Sequence, residues 1–445
     1  MNIDDFSALV AANDIHTVEV SHPDMFTHLR GKRVPVDRFL RAWKSGVNIA
    51  DALFTFDVLC DLVDNEWINM EAGFGDMTLR PDLATARILT HRPGYVMVFT
   101  DATELNGDPQ PMSPRSVLAT QIARCHEAGL SPMVATELEN FVCRPDWTPA
   151  QDSIQYSSLT DSLELEAAIA DMRRALIGAG MDVESSNTEY ACGQIEINVT
   201  YGEAMRVADN TALLKSVVKQ IAREHGLRAT YMAKPWAEEG GSGMHIHTSL
   251  NDAAGRNAFA DSAQEPNELM RSWLGGLMEH AVSMSLVTSG PTVNGYKRIR
   301  PYTFAPTHVV WGGDNRTVLA RCIMEENSPA NRVEFRSAGA DANPYLAIAA
   351  VLAAGLDGIE RNLDPGPKGE GDKYGDPGDA APLPTTLASA ITAFAGSSLA
   401  DRLGQKFSTT YLSLARHELG LYADAVGDEG DEVSEFERDR YLEHI

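Results

Sequence analysis

The chain has 445 residues, 44% of them hydrophobic and 22% charged, with a formal net charge of -26. That length supports about two or three units, or one large unit with an appendage, and the negative charge makes nucleic acid and anionic membrane poor partners. Five cysteines without a C-x-x-C pair argue against a disulfide or zinc-thiolate framework; an acidic N-terminus without a basic leader, and no apolar run of bilayer length, point to the cytoplasm.

Residues 1–105 read as a small β-rich unit with a short helix. Segment 16–20 alternates apolar and polar residues, 36–43 has helical spacing, and 94–100 is another strand. The turn-rich stretch 101–112 marks a boundary. Ser113 and Pro114 then open a helix as N-cap and first residue. Val117, Leu118, Ile122 and Cys125 form its apolar stripe, and Gly129 ends it. A strand containing T-E-L-E-N-F (136–141) follows. Helical periodicity recurs at 161–178, 203–225, 266–287 and 343–360. Segment 364–384 is a loop by composition, and the C-terminus reads as two helices and an acidic tail. This order is α+β rather than regularly alternating βαβ.

Chemistry concentrates in the strands between these helices. Glu137 and Glu139 are two apart, so in a strand they share one face, where two carboxylates repel unless something neutralises them. Glu189 and Glu196 flank a glycine turn. His245 and His247, and Glu334 and Arg336, repeat the two-residue spacing, while Lys297, Arg298, Arg300, Arg316 and Arg321 supply positive charge. Five glutamates and an imidazole could hold two or three divalent cations, and carboxylate-rich sites suit Mg²⁺ or Mn²⁺. Metals beside arginines are the composition of a phosphoryl-transfer site, although neither a P-loop nor a G-x-G-x-x-G occurs. Taken singly, each pair is more often a solvated or structural strand face; together they favour a metal site.

In order along most of the chain, G-D-M-T-L-R-P-D, E-L-E-N-F, E-Y-A-C-G-Q-I-E, K-P-W with G-G-S-G-M-H-I-H, N-G-Y-K-R, D-N-R-T, and N-R-V-E-F-R with A-D-A-N-P-Y resemble the motifs of the glutamine synthetase family. The resemblance implies a β-grasp domain over 1–105. It implies a catalytic domain over 106–445, whose curved antiparallel sheet forms a funnel ringed by helices. It also implies a homo-oligomer, a double-ring dodecamer, with each active site between adjacent subunits. Glu139, Glu189 and Glu196 then look like the ligands of one metal, and Glu137, His245 and Glu334 like those of a second. His247 and Ser249 fall at the ATP phosphates, with Arg316 and Arg321 as the γ-phosphate and nucleotide arginines. Gly241, Arg298 and Arg336 fall around glutamate. Mg²⁺ or Mn²⁺, with ATP as co-substrate, is implied.

The nucleophile side departs from the pattern. Phe304 stands where ammonia-using relatives carry a flap glutamate, Gly240 replaces an asparagine, and only Asp61 or Asp64 is available for the family's ammonium-binding aspartate. An aromatic ring takes no proton but offers an apolar wall and a cation–π face. The implied activity is a ligase that phosphorylates the γ-carboxylate of glutamate and joins it to an organic amine. An alkylamine, ethanolamine, a polyamine or an arylamine would each give a γ-glutamylamide. Glu189 would take the amine's proton and Tyr156 would orient it. Glutamine synthesis from ammonia, and a non-catalytic structural or regulatory family member, stand as alternatives.

Overall fold

The computed structural model describes residues 1–445 except 155, 162, 261–264 and 327. Helix α1 (Ile3–Ala12) starts with a capping box in which Asn2 and Asp5 each accept the other's backbone N–H. Strands β1 (Thr17–Pro23) and β2 (Leu29–Pro35) form a hairpin, helix α2 (Val36–Ala42) crosses over, and β3 (Val47–Ala50), β4 (Asp76–Pro81), β5 (Arg87–Ile88) and β6 (Tyr95–Thr103) complete a six-stranded sheet. Its order is β2-β1-β6-β4-β3, with β5 on β6, and the central β1–β6 pair is parallel. Val18, Val20, Val96 and Val98 fill its interior. The segments at 16–20, 36–43 and 94–100 match β1, α2 and β6. Helix α1 and the strands β2 to β5 go beyond the expected set. β2 carries L-R-G-K-R-V-P at an exposed sheet edge, so burial imposes no alternation on it.

Ser113 caps helix α3 (Pro114–Glu127) by accepting from Ser116 N. Strand β7 (Ser131–Cys143) is 13 residues long, contains T-E-L-E-N-F, and forms the spine of the second sheet. After helix α4 (Leu163–Gly178) come β8 (Val183–Thr188), β9 (Gln194–Val199) and β10 (Gly202–Glu203), then helix α5 (Ala204–Glu224), β11 (Arg228–Thr230) and β12 (Met244–Asn251). Helix α6 (Glu268–Thr288) precedes β13 (Trp311–Gly312), β14 (Ala320–Ile323) and β15 (Arg332–Phe335). The sheet order is β13-β14-β15-β12-β7-β9-β8, with β10 and β11 also on β7. Among the described residues every pairing in it is antiparallel, as expected, except the two-residue parallel pair β13–β14.

Helix α7 (Pro344–Arg361) is fully buried through most of its length and crosses α6 in the core. No helix or strand interrupts 364–384, as its composition predicts. Beyond it lie four helices rather than two: α8 (Leu387–Phe394), α9 (Ser398–Leu403), α10 (Gln405–Ala425) and α11 (Glu435–Tyr441). Gly396 and Gly404, at φ 71° and 105°, break the first run. Part of the expected acidic tail is α11: Ser434 and Glu437 form a capping box, and Glu437 is buried against Lys297 at 2.6 Å. Among the described residues no helix is long and apolar enough to cross a membrane.

Candidate active site

The alternation of β7 decides which side chains meet. Pro132, Val134, Thr136, Leu138 and Asn140 point into the core, so Glu137 and Glu139 lie on the open face. Neighbouring strands extend that face. His245 is registered opposite Glu137, His247 opposite Glu334, Glu334 opposite Arg321, and Glu139 opposite Glu196. Glu189 joins them because the 189–194 turn, with Gly193 at φ 71°, folds back and Glu189 N donates to Gln194 O at 2.8 Å. Glu137 and Glu334, far apart in sequence, therefore share one surface by strand register, and the turn adds Glu189 to it.

Two subclusters form on it. Donor atoms of Glu137, His247 and Glu334 all lie within 4.8 Å of one another. His245 Nδ1 is 3.3 Å from Glu137 and 3.5 Å from Glu334. His247 Nε2 approaches Glu137 to 2.9 Å without an aligned hydrogen bond, while its Nδ1 accepts from Arg332 Nε at 3.2 Å. Arg321 Nη1 donates to Glu334 at 2.9 Å, and Arg336 pairs with the same carboxylate. Burial opposes ionisation of Glu137, yet His245 and His247 hold its carboxyl well below the usual range. Glu334 is also held low, by His245, Arg336 and His247 against its burial.

The other subcluster lacks such compensation. Glu139 accepts from Gly243 N at 2.7 Å and Gln194 Nε2 at 3.1 Å; Glu189 accepts from Asn187 at 2.7 Å and Glu196 from Asn198 at 2.8 Å. No cation of the protein pairs with these three carboxylates among the described residues. Burial and the charge of Glu139 push Glu189 up to about 7, and burial with Glu139 and Glu137 pushes Glu196 up to about 8. Oxygen-dominated, under-neutralised donors of this kind suit hard divalent cations. Glu139, Glu189 and Glu196 fit one such ion, and Glu137, an imidazole and Glu334 fit another.

Beside this surface a cavity of about 300 Å³ is lined by Glu137, Asn198, Tyr201, His247, Ser249 and Arg332. On the other side Arg298 packs against Gly241, where a Cβ would come within 2.7 Å of the arginine's own Cβ, and Gly241 O accepts from Gln194 Nε2 at 3.2 Å. Phe304, Tyr190 and Tyr156 form an edge-to-face aromatic row, with centroids 5.3 Å and 6.3 Å apart, whose central ring belongs to the residue that follows Glu189.

Three expected site residues lie apart from these clusters within one chain. Arg316 is exposed on the β13–β14 connection, with no hydrogen bond to the carboxylates. Asp61 and Asp64 are exposed on the loop preceding β4, and neither contacts the sheet face; the nearby Asp57 is committed to Arg440 at 2.6 Å. Sequence reading missed Arg332, Gln194 and Tyr190. Arg332 is two residues before Glu334 and Gln194 two before Glu196, so the same spacing rule reaches both. Tyr190 carries no periodic signal, because it sits in a turn.

Residues 111–440 match the family described as glutamine synthetase, catalytic domain. The γ-glutamylethanolamide synthetase of Streptomyces coelicolor is 37% identical, over 96% of this chain and 94% of that one. The glutamine synthetase of Halobacterium salinarum is 38% identical, over 83% of each. A solved GmaS–ADP complex superposes with a TM-score of 0.85 at 29% identity, covering 97% of this chain and 98% of that one. With the carboxylate-and-histidine face assembled by register and matched over this length, the chain belongs to the glutamine synthetase family.

Proposed function

We propose that the protein is an ATP-dependent glutamate–amine ligase, forming a γ-glutamylamide, ADP and phosphate. The observation that carries the amine assignment is the aromatic row Phe304–Tyr190–Tyr156 beside Glu189, where an ammonia-using site needs a carboxylate. The ethanolamide synthetase relative supports the same reading. A flat aromatic wall favours a nitrogen nucleophile bearing carbon, through apolar contact and cation–π attraction.

ATP enters the cavity lined by His247, Ser249 and Arg332, with its terminal phosphate toward Glu137 and Glu334. His247 lines that cavity and His245 does not, which supports His245 as the metal-holding imidazole and His247 as the phosphate contact. The divalent cations, held by Glu139, Glu189 and Glu196 and by Glu137, His245 and Glu334, supply charge stabilisation to the phosphates. Arg298 and Arg336 align glutamate so that its γ-carboxylate oxygen attacks the γ-phosphorus and ADP leaves. Arg321, fixed by Glu334 and Asp314, offsets charge on the transferring group; Arg316 joins it if its loop closes over the nucleotide. The amine nitrogen then attacks the acyl carbon, phosphate departs, and Glu189 takes the N–H proton.

This reading makes 1–105 a β-grasp domain, supported by the parallel β1–β6 pair flanked by the β1–β2 hairpin, in a cytoplasmic enzyme. It makes the assembly a double ring in which Asp61 and Asp64 reach the amine pocket of a neighbouring copy. A panel of ammonium, methylamine, ethanolamine, putrescine and aniline, scored by phosphate release with glutamate, ATP and Mg²⁺, tests it. An organic amine is expected to exceed ammonium in kcat/KM by at least about tenfold, the equivalent of ~1.4 kcal/mol. Ammonium as the best substrate would sink the amine assignment.

A further inference from the structure

Two guanidinium groups and a phenol lie near one another beside the metal-ligating face, each with a polar atom left unbonded. Arg298 and Arg336 are only 2% and 3% exposed. Arg298 Nη1 donates to Ser337 O at 2.7 Å, while Arg336 pairs with Glu334 and donates through Nη2 to Phe304 O at 3.3 Å. The Nε of each is buried without a partner, and so is the hydroxyl of Tyr374. Both arginines lie close enough to act electrostatically on that phenol. Buried donors of this kind are rare in a folded protein unless an acceptor arrives from outside.

Tyr374 belongs to the 364–384 segment, which reads as a loop by composition. The segment is instead fastened to β13 and the β13–β14 connection. Trp311 Nε1 donates to Gly366 O at 3.0 Å, Asn315 Nδ2 to Gly371 O at 2.8 Å, and Lys373 N to Thr317 Oγ1 at 3.0 Å. Tyr374 N donates to Asp372 Oδ1 at 2.9 Å, and Tyr302 donates its hydroxyl to the other oxygen of Asp372 at 3.2 Å. The Tyr374 ring packs 5.3 Å from that of Tyr302. These bonds hold the phenol with its oxygen inward.

We infer that the Tyr374 hydroxyl donates a hydrogen bond to the α-carboxylate of bound glutamate, sharing that group with Arg298. This role rests on the ligase reading. Arg336 is tied to Glu334 and so serves the reacting end of the substrate. Arg298 lies against Gly241 and Gly243, at the other end, where a Cβ on Gly243 would come within 2.9 Å of its Nη2. A phenol adds a directed donor there without adding charge, so a carboxylate is bound more tightly than the corresponding amide. Tyr374 is thus a binding residue for the amino-acid substrate, supplied by a segment that pattern reading treats as a loop.

Tyr374→Phe keeps the ring against Tyr302 and removes only the oxygen. In full-length protein with Mg²⁺, ATP and the amine the wild type prefers, KM for glutamate is expected to rise about tenfold, the loss typical of one hydrogen bond to a charged group. The values of kcat and KM for ATP should stay within about twofold, the pattern of lost ground-state binding. Calorimetric titration of glutamate in the presence of ADP should show the same weakening, and the preference for glutamate over its α-carboxamide should narrow. An unchanged glutamate KM in Tyr374→Phe, with Tyr374→Ala alone impaired, would reduce the residue to packing and overturn the role. A parallel loss in kcat and ATP affinity would overturn it as well. Wild-type protein that releases no phosphate with any amine or ammonium would instead overturn the ligase reading, before the variant is compared.

Discussion

Phe304 is held in place by its backbone as much as by its ring. Its φ is 62°, in the left-handed region that aromatic residues seldom enter. Such a conformation costs on the order of 1–3 kcal/mol and persists where the surroundings enforce it; here Phe304 O accepts from Arg336 and the ring meets Tyr190. The side chain is therefore aimed, and Phe304→Glu should aim a carboxylate at the same place, beside Glu189. Its expected effect is a shift of at least about tenfold in the ratio of kcat/KM for ammonium over that for the preferred amine. An unchanged ratio would show that the ring only packs. The spacing rule that made the site legible works at this scale too: two-residue repeats mark the open face of a strand, and β7, β12 and β15 obey it. The rule fails for Tyr190 and Tyr374, which sit in turns and loops, where no period constrains which way a side chain points.

Helix pairing in the core rests on missing side chains. At the crossing of α6 and α7 the backbones approach so closely that a Cβ on Gly358 would overlap Ser272 O and the Gly276 backbone, and one on Gly276 would overlap Ala354 O. Gly358→Ala gains ~1 kcal/mol of intrinsic helix preference, but overpacking against backbone costs more than that. A net destabilisation of about 2 kcal/mol is expected in urea unfolding; a neutral or stabilised variant would show that the helices can separate freely. Periodicity located both helices to within two residues, yet nothing in a single helix's pattern says that its glycines meet a partner's. The same holds for β1. Its alternation was legible, but not that His22 would be fully buried, with Nδ1 at 2.8 Å from Thr100 O and Nε2 at 2.9 Å from Ser113 Oγ. Burial pushes this imidazole down to about 4 from its ordinary 6.5. The unfolded chain therefore binds the proton first as pH falls, so the contribution is intact above about 6.5 and is lost as pH falls toward 4. Between pH 7 and 5 this amounts to about 2 kcal/mol. His22→Gln should flatten that part of the pH–stability curve, and a curve of unchanged slope would assign the loss to other groups.

At the scale of the whole molecule, two groups of large apolar side chains stand exposed on the surface. Leu59, Leu62 and Met70 stand out on the loop preceding β4, Met70 at 71% exposure; Ile154, Tyr156, Leu159 and Leu163 stand out beside the site, Leu159 at 86%. Patches of this kind mark interfaces. The two are different surfaces, so pairing one with the other is a head-to-tail contact that closes into a ring when the rotation permits. The first patch also carries Asp61 and Asp64, which no contact brings to the carboxylate face of their own chain; a neighbour's loop would deliver them to the open side of the aromatic row. Leu62→Glu combined with Met70→Glu puts two charges into that contact and leaves every side chain of the metal-ligating face untouched. If the site is shared between subunits as proposed, the double variant should sediment as a smaller species than the wild type, keep its far-ultraviolet circular dichroism, and lose kcat by about tenfold or more. Full activity in the smaller species would place the whole site within one chain, and an undiminished particle size would move the interface elsewhere on the surface.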